Sequence, residues 1–416
     1  MITIFHTADV HFGVENYGKI DGKTGIHTRL LDFKNSLEFC IDRAVDENID
    51  LFVLSGDAYK TAYPTPTQQK LLAQLLFKLH KAAIPVVIII GNHDHPLSFG
   101  KANALDVFSY LPIDGFYVFS KPDSITIQTK NGPLQIVGIP WPTRNTLVAN
   151  ESHRLKDPKS IAAYLSEKVG LIISSFAQQL DSSIPALLAG HLTVSSGIFS
   201  GSEKCAIFGT DPVLLPSQLA LEPFDYVALG HLHRHQNLNP NGYPPVVYAG
   251  SIERVDFGER KEDKGFCKII ITTENGKKNC SYEFIKVPTR PMIQLNIKLE
   301  PGKIQTDQII AEINNYDLTD AIVKITYQVP EGKTDHVDLY AIQRACIKAM
   351  YVVGIFPIHQ AGATRESRIR LSVDMDLPSL LSKYFDSKKE FLNKKAKLIE
   401  KALKLHEEIE HGEAKL

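Results

Sequence analysis

Eight residues that can bind a metal ion or transfer a proton each follow a short apolar segment of this sequence. They are Asp9, His11, Asp57, Asn92, His93, His191, His231 and His233. Carboxylate, amide and neutral imidazole groups are ligands for divalent manganese, iron or zinc, and the lack of thiolates argues against a structural zinc site. Seven of the eight residues can bind metal. Seven ligands are too many for one ion and suit two ions that share a carboxylate, roughly 3.5–4 Å apart. The residue types therefore indicate a dinuclear metal centre.

The apolar segment from Val86 to Ile90 is predicted to be the central strand of an α/β sheet. Five β-branched residues in succession are typical of a strand buried on both faces. The segment stops at Gly91, and Asn92 and His93 follow at once. Because open α/β sheets bind ligands at the carboxyl ends of their strands, this end of the sheet is predicted to be the active site.

The first part of the chain alternates between predicted strands and helices. Strands over 2–6, 51–54 and 86–90, with helices over 30–47 and 67–83 between them, form a βαβ series. Further on, the pattern predicts strands over 134–139, 185–190 and 226–230 and a helix over 161–179. Five separate strands end in Asp, His or Asn, so their carboxyl ends should bring the eight residues together.

The pattern changes near residue 288, after which strands no longer end in such polar groups. Alternating apolar residues over 293–299 and 322–329, helices over 306–315 and 337–350 and a final pair of strands predict a small α+β domain. From residue 376 two amphipathic helices are predicted, the second opened by a capping box at 387–390. The predicted domains are 1–287, 288–375 and 376–416.

The composition is that of a globular protein of two or three domains. Of the 416 residues 44% are hydrophobic, and 46 basic against 47 acidic side chains give a net charge of −1. A DNA partner would therefore be held locally, by metal ions, a basic patch or another subunit. The sequence has no signal-peptide pattern and no apolar run of roughly eighteen residues, so we expect a cytoplasmic protein that does not bind a membrane.

Five motifs, in this order along the chain, resemble the signature of the calcineurin-like metallophosphoesterases. They are Asp9-Val10-His11, Gly56-Asp57, Gly91-Asn92-His93-Asp94, Gly190-His191 and Gly230-His231-Leu232-His233. With the small domain and the helical tail, the whole layout is similar to the SbcD family, the nuclease subunits of SbcCD exonucleases. The resemblance implies an α/β fold, a sandwich of two sheets flanked by helices, with a small α+β capping domain and a C-terminal helical tail.

The resemblance also implies a role for each of the eight residues. The first ion would be bound by Asp9, His11, Asp57 and His233, and the second by Asp57, Asn92, His191 and His231. Asp57 would bridge the two ions, which would be Mn²⁺, with Mg²⁺, Fe²⁺ or Zn²⁺ as alternatives. His93 would be catalytic and donate a proton to the leaving oxygen.

One position departs from the pattern of this family. Lys60 stands three residues after the bridging aspartate, where the family nucleases often carry a second histidine. A lysine ammonium can contact phosphate as a fixed charge, but it does not shuttle a proton at neutral pH unless it is strongly desolvated. The departure concerns processivity and strand preference, and it leaves the metal centre intact.

The implied function is a Mn²⁺-dependent DNA exonuclease and endonuclease in double-strand break repair and recombination. The implied partners are DNA, a second copy of the chain, and an SMC-like ABC ATPase of the SbcC type bound through the C-terminal helices. A phosphoprotein phosphatase or small-molecule phosphodiesterase could use the same centre. The substrates of these two enzyme classes, however, do not require the added domain and tail. A non-catalytic scaffold would predict the loss of ligands, and all seven are present.

Each feature also has a purely structural interpretation. A single Asp or His at a strand end is more often a cap or turn residue than a ligand, and only the eight together favour a metal site. The amphipathic tail could pack on its own domain. Seven lysines between 388 and 404 are interleaved with Glu390 and Glu400, which suits a solvated face better than a DNA site.

Overall fold

The computed structural model describes residues 1–96, 101–143, 157–200, 211–274, 276–330, 332–359, 377–386 and 393–410. The strands are β1 (Ile2–Thr7), β2 (Leu51–Leu54), β3 (Val86–Ile89), β4 (Phe116–Phe119), β5 (Asp123–Thr129), β6 (Gly132–Ile139), β7 (Ala186–His191), β8 (Thr193–Val194), β9 (Val213–Leu214), β10 (Tyr226–Gly230), β11 (Gln236–Asn237), β12 (Val246–Tyr248), β13 (Gly265–Glu274), β14 (Lys277–Lys286), β15 (Met292–Lys298), β16 (Ile322–Val329) and β17 (Tyr351–His359). The helices are α1 (Thr28–Asp46), α2 (Pro66–Lys81), α3 (Val107–Tyr110), α4 (Pro158–Gln179), α5 (Pro216–Leu219), α6 (Gln305–Ile313), α7 (Leu339–Ala345), α8 (Leu377–Asp386) and α9 (Lys395–Glu410).

Two six-stranded sheets make up most of the N-terminal part of the chain. The strand order is β14-β13-β1-β2-β3-β4 in the first sheet and β11-β12-β10-β7-β6-β5 in the second. Strands β1 to β4 are parallel neighbours in the first sheet, and β6, β7, β10 and β12 are parallel neighbours in the second. The carboxyl ends of parallel neighbours lie at the same edge of a sheet, so the loops that follow β1, β2 and β3 leave side by side.

The two sheets pack face to face through an apolar core. Ile4, Val53 and Ile89 of the first sheet are fully buried in one cluster with Leu187 and Ala228 of the second. Burial of each large aliphatic side chain contributes about 1.5–3 kcal/mol. The predicted sandwich of two sheets is therefore confirmed.

Helices cover the outer face of each sheet. Phe33 of α1 and Leu72 of α2 belong to the core cluster on the outer side of the first sheet, and Ile173 of α4 belongs to the cluster on the second. Helix α2 begins with a capping box between Thr65 and Gln68, with a proline in its first turn. All three helices lie within a few residues of the bounds that the apolar periodicity predicts.

The strand predicted over 86–90 is an interior strand. Every residue of β3 is buried, and the strand lies between β2 and β4. A strand covered on both faces needs apolar residues at every position, which is the reason for its uninterrupted β-branched run. The strand ends at Ile89, one residue before the predicted end at Ile90.

The C-terminal part contains one three-stranded sheet in the order β15-β16-β17. The predicted helix over 337–350 is shorter in the structure, where α7 covers Leu339–Ala345. Before it, the Asp335 and Thr306 side chains accept the amides of Val337 and Asp338. After it, the Met350 amide pairs with the Ala321 carbonyl. These bonds satisfy backbone groups outside the helix, and periodicity alone does not reveal them.

The chain divides into two compact units. The first comprises 1–295, 312–325 and 339–355, and the second comprises 296–311, 326–338 and 356–416. Within the second unit, α8 and α9 pack against each other, so both predicted tail helices are present. The capping box predicted at 387–390 lies outside the described residues, and the division at 288 and 376 stays a prediction. Among the described helices, none combines the length and apolar character needed to cross a bilayer.

A buried ionic network joins α1 to the segment that precedes β15. Asp32 on α1 accepts hydrogen bonds from Arg29 at 2.9 Å and from Arg290 at 2.6–3.0 Å. Arg29 is fully buried and also donates to the Arg254 carbonyl. Asp32 is thus the shared acceptor for two guanidinium groups that are 261 residues apart in sequence.

Replacing Asp32 with alanine should lower the free energy of unfolding by about 3–5 kcal/mol, because the Arg29 guanidinium would stay buried without its carboxylate. Urea unfolding followed by circular dichroism measures the loss.

Asp42→Ala on the same helix is the matched control for this measurement. Asp42 pairs with Lys78 at 2.7 Å, but its side chain is 52% exposed. Because exposed ion pairs contribute little, this change should cost less than about 1 kcal/mol. Equal losses for the two variants would contradict the structural role of the buried network.

Candidate metal centre

Five strand ends bring the eight predicted residues to one site. The residues come from the loop after β1 (Asp9, His11), the loop after β2 (Asp57), the loop after β3 (Asn92, His93), the end of β7 (His191) and the loop after β10 (His231, His233). Potential ligand atoms form three groups, each within 4.8 Å: Asp9 with His11 and His233; Asp9 with Asp57 and His191; and His11 with Asp57 and His93. The two sheets therefore contribute to one cluster.

The group predicted to bind the first ion contains two imidazole nitrogens that face each other. His11 Nε2 lies 3.0 Å from His233 Nε2. Two nitrogens at this distance attract each other only through a proton or a cation that they share. Ligands at about 2.1 Å from one ion, at right angles to each other, are separated by roughly 3 Å. The spacing fits two ligands of one cation.

Asp57 occupies the position that a bridging carboxylate requires. Its Oδ2 lies 3.7 Å from His11 Nε2, in the first predicted set, and 3.5 Å from His191 Nε2, in the second. Its Oδ1 accepts a hydrogen bond of 2.9 Å from the His93 amide. One oxygen is thus fixed by the backbone while the other faces both sets of ligands.

The predicted second set is joined through Asn92. Its Oδ1 lies 2.9 Å from His191 Nε2 and 3.2 Å from His231 Nδ1. His231 is outside the three groups described above, and it enters the cluster through this amide oxygen. All seven predicted ligands are therefore linked by short distances, while the assignment of each to one ion stays a prediction.

Hydrogen bonds on the far side of two rings decide which nitrogen faces the centre. His191 Nδ1 is 2.8 Å from the Ser55 carbonyl oxygen, and His233 Nδ1 is 2.7 Å from Glu259 Oε1. A carbonyl and a carboxylate can only accept, so Nδ1 donates in both rings, and in the neutral form of each ring the lone pair is on Nε2. This is the usual arrangement of metal-binding histidines.

His93 lies next to this cluster. Its Nδ1 is 3.0 Å from the Lys60 carbonyl oxygen, and its ring centroid is 5.0 Å from that of His11. Because the carbonyl accepts, Nδ1 carries the proton and Nε2 is left for another partner. Burial lowers the pKa of His93; the Asp57 carboxylate opposes this, and the Lys60 ammonium adds to it.

The loops that carry the predicted ligands have unusual backbone conformations. Asp9, His11 and Asp57 have φ values of 50–52°, and His231 has a φ of 105°. Positive φ costs of order 1–3 kcal/mol per residue outside glycine and is concentrated at functional sites. A Cβ at Gly91 would lie 2.1 Å from Asp57 Oδ1, so only glycine lets the loop after β3 approach the carboxylate this closely.

The electrostatics of the metal-free cluster favour a cation. Burial raises the pKa of Asp9, and His191 and His233 oppose that shift. Burial also disfavours charge on Asp57 and His191, but their mutual attraction outweighs it, which lowers the pKa of Asp57 and raises that of His191. The cluster therefore favours a positive charge between its carboxylates. In the metal-free chain a proton on His191 supplies this charge, and a metal ion would take the place of that proton. With their lone pairs directed inward, the residues present fit two divalent ions.

Three residues support the ligands from outside the predicted set. The sequence pattern gives no sign of Glu259, and it marks Trp141 only as part of the break after a strand. The Trp141 ring lies 4.8 Å from the His231 ring and 6.0 Å from that of His191. Asp94, which follows His93 in its motif, anchors the loop, since its carboxylate accepts the amides of Ala58, Tyr59 and Gly91.

Comparison with known families agrees with this geometry. Residues 2–235 match the model of the calcineurin-like phosphoesterases. The chain belongs to the calcineurin-like phosphoesterase family. The family and the site together support a hydrolase that acts on phosphodiester bonds with two metal ions.

The chain is similar to individual proteins in sequence or in structure. The chain is 28% identical over 304 residues to the SbcD component of the SbcCD nuclease of Staphylococcus saprophyticus, covering 71% of this chain and 70% of the relative. A dimetal phosphatase from Danio rerio aligns over 68% of this chain and 98% of its own, with a TM-score of 0.37 and 9% identity. A Thermus thermophilus protein aligns over 67% and 98%, with a TM-score of 0.33 and 14% identity.

Titration with Mn²⁺ should quench the fluorescence of Trp141, the single tryptophan of the chain, and saturate at two ions per chain. The quenching is expected because the indole lies beside two predicted ligands and Mn²⁺ is paramagnetic. Asp57→Asn should weaken Mn²⁺ binding by more than about 100-fold, because it removes a predicted ligand. Loss of a residue that only supports a ligand already lowers metal affinity by about 10–100-fold. Asparagine tolerates the positive φ at this position.

Asp50→Asn is the matched control in this titration. Asp50 is buried and immediately precedes β2, at the opposite end of that strand from Asp57. Its variant should titrate like the parent chain. Unchanged Mn²⁺ affinity in Asp57→Asn would remove Asp57 from the centre.

Proposed function

We propose that the protein is a Mn²⁺-dependent DNA nuclease that hydrolyses phosphodiester bonds at DNA ends and in single strands or hairpins. The observation that carries the proposal is the position of Asp57 Oδ2, 3.7 Å from His11 Nε2 and 3.5 Å from His191 Nε2, with His93 beside it. A carboxylate between two sets of nitrogen ligands suits two ions. The imidazole beside them, with its Nε2 available, suits proton transfer to a substrate.

The chemistry divides between the ions and the protein. When bound, two divalent cations lower the pKa of water so that it can attack, and they offset the charge of the phosphate. As the new P–O bond forms, the bond to the leaving oxygen breaks, and that oxygen requires a proton. The protein must therefore supply a proton donor on the leaving-group side.

His93 is the residue that we assign to this step. Its Nδ1 is held by the Lys60 carbonyl, so Nε2 is available to the substrate. Burial lowers the pKa of His93, which favours the neutral ring before the substrate binds. An anionic phosphodiester stabilises the imidazolium form, so His93 takes up its proton together with the substrate and gives it to the leaving oxygen.

Lys60 supplies a fixed positive charge near this step. Its carbonyl orients His93. Its ammonium lowers the pKa of both His11 and His93, and in each case burial has the larger effect in the same direction. An ammonium in this position can contact a non-bridging phosphate oxygen. We propose that Lys60 binds phosphate where family members use a second histidine.

The choice of DNA as substrate is supported by the relative and by the architecture. The relative is named as part of the SbcCD nuclease, and this chain shares 28% identity with it. Helices α8 and α9 form a helical pair in the second unit, which suits binding of an SMC-like ATPase. That partner would supply phosphate-backbone attraction that a net charge of −1 does not. The homodimer, the cytoplasmic location and the role in repair and recombination stay predictions.

The substrate class is tested by assaying the purified chain with Mn²⁺ on labelled duplex DNA, hairpin DNA and p-nitrophenyl phosphate mono- and diesters. Degradation of DNA that EDTA abolishes is the expected result, because both predicted ion sites are built from the chain's own side chains. Turnover of the monoester without any cleavage of DNA would favour a phosphatase and overturn the nuclease proposal.

His93→Ala should lower DNA cleavage by about 10²–10⁴-fold, the usual contribution of a positioned proton donor. The variant should still fold and bind two ions, because the contact with Asp57 is made by the His93 backbone amide. Cleavage kinetics and calorimetric Mn²⁺ binding measure the two effects.

His95→Ala, on the same loop, is the control for the loss of an imidazole. His95 is half-buried and belongs to none of the three ligand groups. It should retain activity within a few-fold of the parent. Full activity of His93→Ala would exclude His93 from the mechanism.

A further inference from the structure

We infer that Glu259 is a positioning residue for His233 and thereby sets the affinity of the first metal ion. The inference rests on the metal centre of the proposed function and does not depend on the substrate. Glu259 lies 26 residues after His233, on the short 3₁₀ turn Phe257–Glu259. It is outside all five motifs of the sequence.

A short hydrogen bond joins the two side chains. His233 Nδ1 lies 2.7 Å from Glu259 Oε1, and both side chains are almost completely buried, at 6% and 0% exposure. Water therefore does not compete for this bond. With Nδ1–H directed at the carboxylate, the lone pair on Nε2 faces His11 Nε2, at 3.0 Å. A carboxylate on the far nitrogen fixes the ring and makes Nε2 a stronger ligand.

The carboxylate itself is held on its other oxygen. Glu259 Oε2 accepts the Val255 amide at 2.9 Å and pairs with Lys264 Nζ at 2.9 Å. The Ser251 hydroxyl lies 3.4 Å from the same oxygen. With both oxygens engaged, Glu259 has no freedom to turn away from His233.

The Lys264 ammonium holds His233 from a second direction. Lys264 Nζ is buried and donates to the His233 carbonyl oxygen at 2.9 Å, and the Ser251 amide donates to that oxygen at 3.0 Å. The ring and the backbone of His233 are thus fixed by the two members of one ion pair. An arrangement that only stabilised the turn would not need to contact both the ring and the backbone of His233.

The turn that carries Glu259 is anchored by its first residue. Phe257 packs in a small apolar cluster with Met292 and Ile322, and the Tyr17 ring lies 5.3 Å from it. Asp256 caps the turn by accepting the Gly258 amide. The position of Glu259 is therefore set by packing around the turn, independently of any ion.

The test is calorimetric Mn²⁺ binding by Glu259→Gln. Glutamine keeps the shape of the side chain and removes its charge. The affinity of the first ion should fall by about 10–100-fold, the range found when partners of metal ligands are lost. The second ion, bound by the other predicted set, should be affected less.

Glu262→Gln is the matched control. Glu262 lies three residues further along and pairs with the same Lys264 Nζ at 3.1 Å, but it is hydrogen-bonded to no histidine among the described residues. The control makes the same change of charge against the same lysine. Its Mn²⁺ affinity should stay within about twofold of the parent.

Thermal unfolding with and without Mn²⁺ separates positioning from a purely structural role. A purely structural role would lower the unfolding temperature equally in both conditions and leave the affinity unchanged, which would overturn the inference. A positioning role reduces the rise that Mn²⁺ produces, because that rise follows the affinity of the folded state. If Glu259→Gln does not fold, Glu259→Asp keeps the charge but shortens the reach by one methylene. Unaltered affinity in a folded Glu259→Asp would then overturn it.

The outcomes also distinguish this inference from the proposed function. Two ions in the parent chain with unchanged affinity in both Glu259 variants would reject the role of Glu259 and leave the nuclease proposal standing. Two ions with the expected loss, but no cleavage of DNA, would support Glu259 and reject the nuclease. A parent chain that binds no Mn²⁺ would reject both.

Discussion

The structure depends on the burial of two carboxylates among histidines. Asp9 is fully buried and Asp57 is 2% exposed, and within the described residues neither forms an ion pair with lysine or arginine. Buried carboxylates without such a partner are costly unless a proton or a metal ion compensates them. The rings of His11, His191 and His233 supply nitrogen lone pairs at the same place. The demand for a cation is thus built into the interior of the fold.

The position of the cluster explains why the sandwich needs both of its sheets. The loops after β1, β2 and β3 belong to the first sheet, and the end of β7 and the loop after β10 belong to the second. His11 and His233 are 222 residues apart in sequence, yet their nitrogens lie 3.0 Å from each other. Neither sheet alone holds a complete set of predicted ligands. Packing between the sheets is therefore a condition for the chemistry as well as for stability.

The sequence predicted the parts of this arrangement that obey a repeated local rule. An apolar run followed by Asp, Asn or His marks each strand end, and parallel strands place such ends at one edge, so the convergence of the seven predicted ligands and the positions of the main helices could be predicted. Glu259 follows no such rule, because it lies on a short turn and meets His233 only through the tertiary fold. The same holds for Asp32 and Arg290, whose bond joins residues 258 apart. The predicted helix over 337–350 was too long, because periodicity does not show where tertiary bonds replace helical ones. The Asp335 and Thr306 side chains accept the amides of Val337 and Asp338 before α7, and the Met350 amide pairs with the Ala321 carbonyl after it.

The positive φ values at Asp9, His11, Asp57 and His231 have a consequence for engineering. Each of these residues combines an unfavourable backbone conformation with a polar group that is expensive to bury. Glycine at one of these positions would relieve the backbone and remove the buried group at once. Directed evolution for heat resistance alone, carried out without metal, would therefore tend to eliminate these predicted ligands first. For this fold, thermostability and the predicted metal binding are opposed at the same four residues.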